Sequence, residues 1–175
     1  MSVLKVNQIQ TANGVIMANL NSSGANVGIQ LASNLAPAFY VYTTDSSGYF
    51  NNSTAGKVRF NAKIFDTGNC FDSTTNYRFT PTVAGYYFFT VKILNNFSTP
   101  GQVITYVYKN GSTASEVQQT AISQQGQGTA ASTLVYANGT SDYFEIYYYQ
   151  DKGNSLAVYT GQQQTYWTGF LARNA

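Results

Sequence analysis

The chain has 175 residues and a formal charge of +2, with 9% charged and 15% aromatic residues. That aromatic content excludes a disordered chain. Basic residues scattered without a patch exclude the electrostatic footprint of nucleic-acid or anionic-membrane binding, and no apolar stretch reaches the length of a membrane span.

This length suits one domain with a short appendage. With so few charges, the polar surface comes from Ser, Thr, Asn, Gln and the hydroxyls of 15 tyrosines. Such a surface costs little to desolvate, and tyrosine is enriched where proteins meet, so composition favours burial between subunits over a free monomer. The single Cys70 leaves no intrachain disulfide. MSVLKVNQIQ lacks the apolar core of a signal peptide, which points to synthesis in a cytosol. The Asn-x-Ser/Thr triplets at Asn21, Asn51, Asn52, Asn96, Asn110 and Asn138 then read as polar turns and not as glycan sites.

In chain order, residues 1–36 are polar and lack aromatics, and residues 37–175 carry them in nearly every segment. The boundary falls at Ala36-Pro37. Within the leader, Val3 to Ile9 reads as a short strand with Asn13-Gly14 as a turn behind it, and Val3, Leu4, Val6 and Ile9 are its docking candidates. Val15 to Leu35 matches neither the helical nor the strand period.

The main domain alternates at period two. Strands are expected at 39–42, 57–60, 64–65, 76–79, 86–94, 103–109, 116–122, 134–137, 143–150 and 166–173. The 86–94 segment is apolar on both faces, with Tyr87, Phe89, Val91 and Ile93 on one and Tyr86, Phe88 and Leu94 on the other. Such a strand is covered twice, once by the core and once by a neighbour. Asn110-Gly111 is a strong hairpin signal. No helix is expected, and the pattern is that of an all-β sandwich or jelly roll with ten strands.

The chain contains no histidine, which removes Ser-His-Asp and Cys-His catalysis and most zinc sites. Cys70 has no neighbouring base and reads as an idle thiol. Asp66 with Asp72, and Asp142 with Glu145, are the carboxylate pairs to weigh for glycoside hydrolysis. Asp142 reads better as the cap of a strand start, and no catalytic residue is assigned. Asp66, Asn69 and Asp72 share a loop that reads as a solvated turn before a calcium site, so no metal or cofactor is expected. Tyr147-Tyr148-Tyr149 and Tyr166-Trp167 read as core and subunit seam before a glycan-stacking platform. Tyr87, Phe89, Tyr136, Tyr148, Trp167 and Phe170 are the core or trimer-interface candidates. The loops at 123–129 and 151–164 are the candidate ligand tips, with Gln124, Gln125, Asp151, Asn154 and Gln162 as adaptable hydrogen-bonding groups.

These pieces also stand in a familiar order. Lys57-Val58-Arg59-Phe60-Asn61, Phe71-Asp72, Phe79 with Gly85, Tyr87 and Phe89, Tyr108-Lys109-Asn110-Gly111, Asp142 to Ile146 and Trp167-Thr168-Gly169-Phe170-Leu171 together resemble the C1q/TNF-like jelly roll over about residues 37–173. The chain departs from that pattern at Pro81, one place early, at Thr140-Ser141 between Gly139 and Asp142, and in having no Gly-x-y collagen stem. The resemblance implies a homotrimer that presents surfaces and performs no catalysis. The leader SVLKVNQIQTANG is similar to the starts of small bacteriophage structural proteins. That second resemblance implies a virion surface protein made in the host cytoplasm. It would act as capsid decoration or as a receptor-binding tail-fibre or spike tip, with the leader on other virion proteins. A soluble lectin-like module for a host glycan or receptor is the alternative.

Overall fold

The computed structural model describes residues 8–10, 16–19, 36–45 and 50–175. The chain divides into two compact units, residues 1–35 and 36–175. In the first unit, β1 (Gln8–Gln10) pairs antiparallel with β2 (Ile16–Asn19). This places Ile9 in a strand. The docking candidates Val3, Leu4 and Val6 and the expected Asn13-Gly14 turn lie outside the described residues.

The second unit is all β. Its strands are β3 (Ala38–Tyr42), β4 (Gly56–Lys57), β5 (Ala62–Asp66), β6 (Phe71–Asp72), β7 (Arg78–Phe79), β8 (Gly85–Leu94), β9 (Gly101–Lys109), β10 (Ser112–Ile122), β11 (Gly128–Ala137), β12 (Phe144–Gln150) and β13 (Tyr166–Asn174). One sheet runs β11-β8-β13-β3-β5, and the other runs β10-β9-β12-β7-β6 with β4 also on β12. Every ladder between these strands is antiparallel. Two packed antiparallel sheets with strands switching between them form the jelly roll.

Among the described residues of this unit, eleven strands stand where the sequence suggested ten. The extra one is β6, two residues long, too short for alternation to reveal. Other boundaries move for similar reasons. Residues 58–60 fall outside β4, although Val58 and Phe60 are buried in the core. β11 begins at Gly128, well before the apolar run at 134–137, because small side chains pair along β8 there. Thr129, expected in a loop, is buried in that strand, and its hydroxyl meets the Thr105 hydroxyl at 2.5 Å.

β9 and β10 form the expected hairpin. Asn110 and Gly111 both have positive φ (53° and 79°), and Lys109 pairs with Ser112 across them. Two left-handed central residues match the twist of the flanking strands, which is why Asn-Gly is favoured there.

The core lies between the sheets and is built from rings. Phe39 meets Phe79 at 4.4 Å and Trp167 at 5.0 Å between centroids, and Phe89 meets Trp167 at 5.2 Å and Phe144 at 5.3 Å. Most of these pairs are edge-to-face, the arrangement that the ring quadrupole favours.

Candidate interaction surfaces

Burial in the folded domain sorts the six core-or-interface candidates into two groups. Tyr87, Phe89, Tyr148 and Trp167 point between the sheets and are fully buried within one chain. Tyr136 and Phe170 point the other way, on the outward face of the five-stranded sheet. Register extends that face in rows. Leu134, Phe88 and Phe170 lie side by side, and so do Tyr136, Tyr86 and Arg173. A third row joins Ser132, Thr90, Thr168, Tyr40 and Phe65. The Thr90 and Ser132 hydroxyls meet at 2.8 Å, and the Phe88 and Phe170 rings at 5.7 Å, which fixes them on one side of the sheet.

In the isolated chain, Tyr86, Phe88, Leu134, Tyr136 and Phe170 are 36–56% exposed. Scattered apolar residues on a surface are ordinary, but a contiguous patch marks an interface. The only charged group in these three rows is Arg173. A concavity of about 600 Å³ opens beside it, lined by Tyr86, Leu134 and 172–175. The sequence had named Tyr136 and Phe170 but had left Leu134 unassigned. Its single aliphatic side chain carries no signal until register sets it beside Phe88.

The opposite sheet also has an aromatic outward face, of different chemistry. Tyr106 and Tyr108 project from β9, and Tyr147 and Tyr149 from β12, all half-buried. Tyr147 and Tyr149 therefore occupy neither the core nor the apolar face, whereas Tyr148 between them fills the core. Tyr108 and Tyr147 stack at 4.0 Å with 15° between planes, and Tyr106 meets Tyr108 edge-on at 6.3 Å. Burial, reinforced by the Glu116 charge, raises the Tyr106 phenol; burial, reinforced by Glu145, raises that of Tyr147. Glu145 lies on this outward side yet is nearly buried, held by Lys57 at 2.5 Å.

The five ligand-loop candidates come together at one end of the sandwich. Gln125 Nε2 donates to Asn96 Oδ1 at 2.5 Å, and the Gln124 carbonyl accepts from Asn95 Nδ2 at 3.3 Å. The Asn95–Asn96 segment in turn bonds the 157–159 backbone. Asp151 Oδ1 accepts from the Gln102 N–H at 2.8 Å, Asn154 Oδ1 from the Asn52 N–H at 3.1 Å, and the Gln162 carbonyl from the Tyr40 hydroxyl at 2.6 Å. The Gln125, Asp151 and Asn154 side chains and the Gln124 and Gln162 carbonyls thus brace the loops themselves.

The carboxylates weighed for chemistry are structural. Asp66 accepts from the Cys70 and Phe71 N–H groups at 2.9 and 3.0 Å and from Lys63 at 2.8 Å. Asp72 caps its own turn, and bonds from the Thr75 and Thr74 N–H groups hold its carboxyl well below the usual range. Burial pushes the Asp142 carboxyl up, but bonds from Lys109, Asn110 and the Asn138 N–H outweigh burial and hold it low. Asp142 and Glu145 are thus engaged by different lysines, and the pair does not face a common space. Among the described residues, no three His, Cys, Asp or Glu side chains converge as a metal cluster. Cys70 is buried, 3.3 Å from the Gly68 carbonyl.

The architecture defines a jelly-roll module whose distinctive features are surfaces. Residues 38–172 match the C1q domain family, and the chain belongs to that family. Its fold is shared with the globular domain of zebrafish complement 1qA (18% identity, 80% of this chain and 99% of that one, TM-score 0.54). It is similar also to murine APRIL (8% identity, 78% and 98% coverage, TM-score 0.56) and to Eiger TNF from S. frugiperda (10% identity, 80% and 94% coverage, TM-score 0.52). No curated protein matches the chain in sequence.

Proposed function

We propose that the chain is the subunit of a homotrimeric, non-catalytic surface protein of a bacteriophage virion, made in the host cytoplasm. The observation that carries the assembly is the outward face of the five-stranded sheet, where Tyr86, Phe88, Leu134, Tyr136 and Phe170 lie open. Domains of the C1q/TNF type typically form homotrimers, and a second and third copy would cover this face. Burying each of these side chains contributes on the order of 1.5–3 kcal/mol before ordering costs.

The virion assignment rests on the leader, SVLKVNQIQTANG, which resembles the starts of phage structural proteins. In this reading the leader docks on other virion proteins and the jelly roll faces the medium. The jelly roll would then act as capsid decoration or as the tip of a fibre or spike. The test is to locate the chain in intact particles by labelled antibody and electron microscopy, and to measure its mass in solution. Three copies per site on the particle surface is the expected result. Absence from purified particles overturns the virion role, and a monomer in solution overturns the assembly.

A second reading, a soluble lectin-like module for a host glycan or receptor, is favoured by the convergence of Gln124, Gln125, Asp151, Asn154 and Gln162 at one end of the sandwich. Glycan-array binding by the isolated protein, lost on substitutions within 151–164, would select it.

A further inference from the structure

We propose that the outward face of the six-stranded sheet is a docking platform for a neutral glycan chain. The rings of Tyr106, Tyr108, Tyr147 and Tyr149 form its stacking surface, and the exposed Glu116 carboxylate accepts bonds from sugar hydroxyls. The proposal takes from the preceding reading only the homotrimer, which uses the other sheet as its seam and leaves this one facing the medium.

The contrast between the two sheets carries the argument. One outward face centres on Phe88, Phe170 and Leu134, side chains with no hydrogen-bonding group, flanked by Tyr86 and Tyr136, and it suits permanent burial against protein. The other presents phenols alone among its large projecting rings. Ile104, at the same outward register beside Tyr149, is itself nearly buried. A phenol ring offers an apolar face to the C–H face of a pyranose and keeps its hydroxyl hydrated, so the surface tolerates water when empty and grips sugar when filled. Register then sets acceptors among the rings. Glu145 pairs with Tyr108 across β9 and β12, and Glu116 pairs with Tyr106 across β9 and β10. An exposed carboxylate beside the rings suits the vicinal hydroxyls of a neutral sugar, while Glu145 is neutralised by Lys57 in the row of Tyr147.

The platform is also built in advance. Tyr108 and Tyr147 are stacked on each other, Tyr106 leans edge-on against Tyr108, and Lys57 ties Glu145 while also donating to the Asn76 carbonyl at 3.3 Å. Side chains already held in place lose little rotamer freedom on binding, which is how tyrosine-rich binding surfaces gain affinity. The rings sit on paired strands, unlike the end loops.

The full chain is run in native gels containing dextran, yeast mannan, a soluble β-glucan or a galactan, with heparin as the anionic comparison, and sedimentation velocity is recorded in parallel. Retardation by at least one neutral polymer is expected. Tyr106→Ala and Tyr147→Ala should each weaken it about tenfold or more, whereas Tyr147→Phe retains it, all three with unchanged sedimentation and circular dichroism. A monomeric wild type that is still retarded through these tyrosines upholds the platform while removing the trimer. The proposal is overturned if no neutral polymer retards the protein, if heparin alone does, or if retardation survives the Tyr106→Ala/Tyr147→Ala double variant. Loss on Asp151→Ala or Asn154→Ala with the tyrosines intact and dispensable overturns it too, placing the site on the end loops.

Discussion

Tyr87 and Tyr148 are both buried tyrosines on central strands, yet their hydroxyls live differently. The Tyr87 hydroxyl donates to the Val83 carbonyl at 2.7 Å, whereas the Tyr148 hydroxyl has no partner among the described residues. Burial raises both phenols, so neither ionises near neutrality. Removing a bonded hydroxyl forfeits the bond and strands its acceptor, while removing an unbonded one relieves a desolvated group. Tyr87→Phe should therefore lower stability by about 1 kcal/mol and Tyr148→Phe should leave it unchanged or raise it slightly. Urea midpoints at constant slope check this, and equal losses in the two variants would refute the distinction. Gly169 poses a packing question. Between Trp167 and Phe170 its missing side chain lets the rings of Phe89 and Phe39 close in, where an added Cβ would sit 2.5 and 2.8 Å from their carbons. Gly169→Ala should cost about 1–3 kcal/mol through overpacking, read as a lower melting temperature.

At the scale of elements, Asp142 joins three pieces of the fold. It takes bonds from Lys109 at the end of β9, from Asn110 in the β9–β10 turn and from the Asn138 N–H after β11, just before the chain enters β12. Its carboxyl is held below the ordinary value in the folded state. The resulting stabilisation is complete above the unfolded value of about 3.9 and is lost as pH falls through the folded one. Asp72 acts in the same direction. Stability should thus decline below about pH 4, and Asp142→Asn should be less stable at neutral pH with a shallower acid decline, measured as urea midpoints against pH. Sequence alone carried much of this level. The both-sided apolarity of 86–94 located β8 and separated Tyr87 and Phe89 from Tyr86 and Phe88, and Asn110-Gly111 located the hairpin. It failed where two-residue strands leave no period, as at β6, and where small residues fill a strand, as at the start of β11. Nor did period divide Tyr136 and Phe170 from Tyr148 and Trp167. Which side of a sheet is inside depends on how the sheets stack, and that is set by the whole chain.

For the whole molecule the deciding property is whether one face can remain wet. Leu134 is 56% exposed in the single chain, so a charge at this position should change the folded subunit's stability by no more than about 0.5 kcal/mol. In an assembly seamed through this face, Leu134→Glu buries an unpaired carboxylate in every copy, against Phe88 and Phe170, at a cost of several kcal/mol per charge. The substitution therefore separates assembly from folding. Sedimentation equilibrium of the wild type should return three times the chain mass of 19.1 kDa. Leu134→Glu should return a mass falling toward one chain on dilution, with an unchanged circular dichroism spectrum. Thr54→Glu, on an exposed loop of the same domain, supplies the charge without touching the face and should sediment like the wild type. If Leu134→Glu and the double variant Leu134→Glu/Phe170→Glu both keep the threefold mass, the copies meet through some other surface, and the open rings of the five-stranded sheet await a different occupant.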